Sequence, residues 1–315
     1  MPFDKLKAPS EAAGLRVDTE QRFSPRFKNR DLPSTQAQAE GAPSNVSTPN
    51  SLVLNIGEIP VLVFSKNQEF MAQTKERYAN FVSTETAPLL RVEVNILSKK
   101  MIPNLATEME RPEVTFDHGA ERGTFSWQGL SGEFDLVSRE ARMSCVLNPA
   151  GLNSFLRFLY SLVLLKEPGF LVHAAGLVKN EKGYVFPGKS GVGKTTIARL
   201  SPDTTLLSDD LPLVKTGGVP FIFGTPFWGG LAVGGEKISA PLARIYFPVK
   251  DTKNYTEKLN PRQVLEKLLP NVVFFFKNEK LSKQLFDLCF DLATKVPGYE
   301  LHFLPDFSFW ECVDA

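Results

Sequence analysis

Cysteine, histidine and tryptophan each occur only three times in 315 residues. The cysteines, Cys145, Cys289 and Cys312, are odd in number, far apart and without metal-ligand spacing. That implies no disulfide framework or cysteine-built metal site, and leaves buried thiols in a reducing compartment as the expectation. An excess of one charge is also missing. Lys+Arg is 36 and Asp+Glu is 35, a net +1, which argues against nucleic acid or an anionic membrane as the main partner. No apolar run is long enough to span a bilayer; the longest, 155–165, is interrupted by Arg157. Residues 1–14 lack the apolar centre of a secretory signal. A cytoplasmic location is therefore expected.

What is present is a 43% apolar, 23% charged composition, ordinary for a globular chain and enough to bury a large core. Residues 1–50 are rich in Pro, Ser, Gln and charge, with no apolar periodicity, and are expected to form a disordered arm. Residues 51–150 read as a strand-rich α+β region. Strands are expected at 52–56, 61–64, 89–96, 114–117, 124–127, 133–136 and 141–147, and a helix at 68–81. A helix over 152–166, opened by Asn148 and Pro149, either hinges the two halves or packs them together. Residues 151–315 read as an α/β domain. It has strands at 170–178, 184–186, 205–208, 211–214, 219–223, 243–247 and 299–304, and helices at 261–268 and 278–295. Phe303, Phe307, Phe309 and Trp310 are expected to plug its core.

Chemistry concentrates in 188–195, Gly188-Lys189-Ser190-Gly191-Val192-Gly193-Lys194-Thr195. The segment fits G-x-x-x-x-G-K-[ST], with strand residues before it and a helix start, beginning Thr195-Thr196, after it. Glycines let successive backbone N–H groups approach phosphates closely, and the helix opening adds its positive end. Lys194 reaches β- and γ-phosphate oxygens, and the Thr195 hydroxyl is suited to Mg²⁺. The expected ligand is a nucleoside triphosphate such as ATP, with ATP versus GTP left open. Downstream, an apolar strand ends in Asp209 and Asp210. Such an acid pair can serve Mg²⁺ with one carboxylate and accept a hydroxyl proton with the other.

His173 lies in an apolar stretch upstream, and its order with the loop and the acid pair resembles the catalytic core of HPr kinase/phosphorylase. That family shares a P-loop fold with ATP-dependent phosphoenolpyruvate carboxykinase. The resemblance covers residues 170 to about 304, with specific motifs only in the first 40 or so. It implies a phosphoenolpyruvate-carboxykinase-like α/β core behind the smaller α+β region. It also implies roles: His173 near the transferring phosphoryl group, Lys194 neutralising it, Thr195 and Asp209 serving the metal, and Asp210 as proton acceptor. The chain departs from the family at Lys189 and Thr196, and Glu236 is the only acid where a Glu-Arg-Gly signature would stand. In this it looks closer to the HPr-kinase-like proteins of bacterial peptide-modification clusters.

The implied function is Mg-ATP-dependent phosphoryl transfer to a hydroxyl, on a serine of a peptide or protein, with homo-oligomer formation left open. Alternatives are a small-molecule kinase or carboxykinase-like enzyme, and a nucleotide-binding regulatory or assembly protein with weak ATPase activity. Residues 224–230, GTPFWGG, read equally as a stacking loop for substrate and as a turn whose aromatics plug the core. Arg199 and Arg244 are expected in surface or structural pairs. His118 and His302 have no partners at metal-ligand spacing.

Overall fold

The computed structural model describes residues 50–98, 112–117 and 119–313. The expected arm, residue 50 apart, and His118 lie outside them. The described residues belong to one compact unit of mixed α/β structure, in which two sheets share an apolar core.

The first sheet takes strands from the N-terminal half: β1 (Ser51–Ile56), β2 (Ile59–Phe64), β3 (Val82–Ser83), β4 (Leu90–Leu97), β5 (Glu113–Phe116), β6 (Arg122–Trp127), β7 (Leu130–Asp135) and β8 (Glu140–Val146). Their order is β3-β1-β2-β4-β8-β7-β6-β5. The β2–β4 and β4–β8 pairs are parallel. Burial alternates along β2, as a strand with one covered face requires. Helix α1 (Gln68–Arg77) lies between β2 and β3, capped by Asn67 Oδ1, which accepts the Phe70 N–H at 2.8 Å. It ends sooner than the sequence suggests and passes into a 3₁₀ turn over Ala79–Phe81.

Helix α2 (Pro149–Lys166) starts as expected, with Asn148 as cap and Pro149 in the first turn. From Phe158 to Leu165 every residue is buried. A helix apolar on all sides belongs inside a protein, and α2 packs the halves together rather than hinging them. Phe158 stacks on Phe125 of β6 at 4.4 Å and meets Phe134 of β7 and Phe275 edge-on. Tyr160 Oη donates to the Ile59 carbonyl at 2.8 Å. Among the described residues, no helix is long and apolar enough to cross a membrane.

The second half runs β9 (Gly169–Leu171), β10 (Ala174–Lys179), β11 (Lys182–Pro187), α3 (Lys194–Arg199), β12 (Thr205–Ser208), β13 (Leu213–Lys215), β14 (Phe221–Phe223), β15 (Ser239–Lys250), β16 (Tyr255–Leu259), α4 (Pro261–Leu268), α5 (Glu279–Lys295), β17 (Gly298–Phe303) and α6 (Trp310–Val313). The sheet order is β12-β10-β11-β15-β14-β13-β9, with β17 on β15 and β16 on β17. Strand β15 is long enough to serve three partners: β14 at its start, β11 in the middle and β17 at its end.

Structure and sequence expectation differ here in three places. The single strand over 170–178 is two strands, because the chain leaves β13 after Leu171 and joins β11 and β12 from Ala174. At the break, the His173 N–H donates to the Asn271 carbonyl at 2.7 Å instead of to a strand. Strand β16 was not anticipated: its sequence, YTEKL, is an exposed edge with no apolar alternation. Of the expected C-terminal plug, Phe303, Phe309 and Trp310 are buried, but Phe307 is 73% exposed.

Phe158→Ala should cost about 3–5 kcal/mol, the range for emptying a buried aromatic site. Because the halves share one core, urea unfolding of this variant should remain a single transition at a lower midpoint. Separate transitions for the two sheets would contradict a common core.

Candidate functional site

Strands β11 and β12 both run antiparallel to β10, so their C-terminal ends meet the start of β10 at one edge of the sheet. The register pairs Ala174 with Pro187 and Gly176 with Ser208. Beyond the last pairs the backbone continues the pattern. Gly188 N–H donates to the His173 carbonyl at 3.2 Å, and Ala174 N–H to the Asp210 carbonyl at 2.9 Å. The glycine-rich loop, His173 and the acid pair are thereby set side by side around a cleft of about 330 Å³.

The loop's conformation requires its glycines. Gly191 has φ +84° and faces open space; Gly193 has φ +116°, and a Cβ there would stand 2.6 Å from the Phe303 ring. Ser190, Gly191, Gly193, Lys194, Thr195 and Thr196 line the cleft. Gly188, Lys189 and Val192 do not line it; Val192 folds back over Gly188. Lys194 is buried, and its Nζ donates to the Gly188 and Lys189 carbonyls at 2.7 and 3.0 Å. Burial draws its ammonium below the usual lysine range, against the pull of Asp210 and Asp209.

The two acids occupy different settings. Asp209 is 2% exposed, and both its oxygens accept backbone N–H groups, from Gly229 at 2.8 Å and Leu231 at 2.7 Å. It holds the strip 229–231 across the cleft. That strip comes so close that a Cβ on Gly230 would lie 3.3 Å from the Thr195 hydroxyl. Asp210 turns its carboxylate to side chains: Arg157 Nη2 at 3.0 Å and His173 Nε2 at 3.5 Å. Glu236 is exposed and is not part of the cleft wall. Arg244 makes structural bonds to Tyr246 Oη and the Val313 carbonyl.

Neither a protein-family model nor a curated protein matches this chain. The site's chemistry therefore stands on its own geometry.

Arg157 is a site residue that the sequence reading left unused. Its one signal was a charge inside the apolar run 155–165. The same Nη2 that pairs with Asp210 donates to the Trp228 carbonyl at 3.2 Å, and the guanidinium lies 5.5 Å from the Phe227 ring centre. Arg77 of α1 covers the Trp228 ring at 3.9 Å. Within 224–230, Phe227 is buried as a plug, and Trp228 is partly exposed with its ring under Arg77. Lys250, at the end of β15, is an unanticipated wall residue.

Burial holds His173 below the ordinary histidine value, and Lys194 and Arg157 lower it further while Asp210 opposes them. The unfolded chain thus takes up this proton first. The stability His173 contributes is full above about pH 6.5 and is lost as pH falls through the folded value. In an NMR titration of the three histidines, His173 should have a midpoint below about 6.5. Lys194→Met and Arg157→Met should raise it and Asp210→Asn should lower it; no movement in Lys194→Met would remove Lys194 as a source of the shift.

Proposed function

We propose that this chain is an Mg-ATP-dependent kinase of HPr-kinase-like type, passing the γ-phosphoryl group to a hydroxyl of a peptide or protein serine. The supporting observation is the convergence, at one sheet edge, of a complete phosphate-loop motif with an aspartate facing the same cleft beside a histidine. The P-loop, carboxykinase-like description of the core belongs to this reading.

The residues fit such ligands. The positive-φ glycines leave a cradle that a side chain would fill or strain. The Thr195 hydroxyl would hold Mg²⁺, with the lone pairs of Asp209 not used by Gly229 and Leu231. Bound there, the ion would offset charge on the phosphate oxygens. Lys194 exchanges its two loop carbonyls for phosphate oxygens, a move of one side chain. Asp210 accepts the proton of the acceptor hydroxyl as its oxygen bonds to the γ-phosphorus and the bond to the leaving diphosphate breaks. Arg157 keeps the Asp210 carboxylate oriented, and His173, held neutral, adds a hydrogen-bonding group without a charge to repel the acceptor's proton.

Lys194→Ala should lose about 3 kcal/mol of triphosphate binding, roughly a hundredfold, in a titration with a fluorescent ATP analogue. Asp210→Asn should bind the analogue normally yet slow radiolabel transfer by about 10²–10⁴. Full transfer in Asp210→Asn would remove Asp210 as the base. ATP hydrolysis that no serine peptide diverts into phosphopeptide would instead favour a regulatory ATPase.

A further inference from the structure

The β16–β17 edge gathers a second set of ligating groups outside the cleft. Glu257 and Glu300 stand directly opposite each other in the antiparallel ladder, a placement in which like charges repel. His302 lies two residues along from Glu300, opposite Tyr255, whose ring stacks on the imidazole at 4.2 Å and 10°. His302 Nδ1 is 2.9 Å from Asp251 Oδ2. An ionised carboxylate only accepts, so Nδ1 carries the hydrogen, and in the neutral ring this tautomer leaves Nε2 its lone pair. Nε2 has no hydrogen-bond partner and no solvent contact; the nearest acid is Glu300 Oε2 at 3.7 Å. One ligand atom from each of Glu257, Glu300 and His302 lies within 4.8 Å of the others.

This arrangement has two liabilities, an orphaned buried nitrogen and two facing carboxylates. A cation between them removes both. Part of the charge is already met by Lys267 of α4, whose Nζ is 2.5 Å from Glu300 Oε1. Lys267 leaves Glu257 and Nε2 unserved.

We propose that His302 Nε2, Glu257 and Glu300 form a site for a divalent transition-metal cation, with Asp251 orienting the imidazole from the outer shell. A nitrogen donor with two carboxylates suits Zn²⁺, Mn²⁺ or Co²⁺ and not Ca²⁺, which takes oxygen ligands. The carboxylate–histidine–metal relay is the arrangement that fixes a ligating tautomer. The ion would clip β16 to β17, the strand whose Phe303 ring packs against Gly193 of the glycine-rich loop.

Co²⁺ reports its own coordination through visible d–d absorption. Titrating the full chain with CoCl₂, without nucleotide, should give a band saturating at one ion per chain and displaced by Zn²⁺. Glu257 is exposed, so Glu257→Gln should keep the fold and weaken binding at least about tenfold. Asp251→Asn, which spares all three ligands, should weaken it about 10–100-fold. Lys267→Met, which removes the competing ammonium, should tighten it. No band in either the native chain or Lys267→Met would overturn the site. A band that Glu257→Gln and His302→Ala leave unchanged would overturn it equally. Neither result bears on the nucleotide cleft, which shares none of these residues.

Discussion

The register between β10 and β11 is the constraint on which the cleft depends. It is set by the two-residue turn at Asn180 and Glu181, which hold φ +50° and +60°, as the tightest hairpin connection demands. A slip of one residue would turn every side chain of β11 to the other face. It would also carry Gly188 away from the His173 carbonyl, and the loop would leave the sheet at another height. Strand β12 is then added on the far side of β10, and the Ala174–Asp210 bond brings the acid pair to the same level. A polar turn about 15–20 Å from the cleft, by strand rise, therefore decides whether three separate segments share one space.

Two arginines on helices α1 and α2 support one flank of that space. Arg157 comes from α2, the helix that fills the common core, and Arg77 from α1. Together with Tyr160, whose ring meets Phe227 edge-on at 6.2 Å, they hold the 227–228 segment from behind. A partly buried Arg–Asp pair adds little net stability by itself, yet removing one partner leaves the other uncompensated. Its value here is orientation: a single guanidinium nitrogen fixes both the Asp210 carboxylate and the Trp228 carbonyl. Helices α1 and α2 thus steady the acid pair's neighbourhood through these two side chains.

Most of this fold could be read from local pattern. Burial alternation along β2 and β8, the caps Asn67, Asn148, Asn260 and Asn278, and the glycine-rich loop are all short-range signals. The four residues Lys194, Thr195, His173 and Asp210 do meet at one cleft. What escaped the sequence depends on partners far along the chain. The break at His173 exists because Asn271, nearly a hundred residues later, takes its N–H. Strand β16 exists because β17 offers an edge. Arg157 reads as a flaw in an apolar run until Asp210 lies beside it. The engagement of Asp209 by Gly229 and Leu231 is equally invisible, since glycine-rich strips advertise freedom and not the contacts they make.

The adjacent aspartates show how two identical side chains come to differ. Asp209 ends buried, with its oxygens committed to backbone N–H groups, whereas Asp210, one residue on, faces the cleft between Arg157 and His173. Both lie just past the end of β12 and both line the cleft, so the partners each carboxylate meets set them apart. One carboxylate is spent on holding the strip 229–231 close to the Thr195 hydroxyl. The other keeps lone pairs directed at whatever enters. Burial, helped by Lys194 and Arg157, lowers His173 and favours its uncharged form, so the cleft wall sets a carboxylate and an imidazole side by side. For the proposed transfer that division matters more than the number of acids. A base must be free to accept a proton, and the strip beside the Thr195 hydroxyl must be tied down, and no single carboxylate can do both.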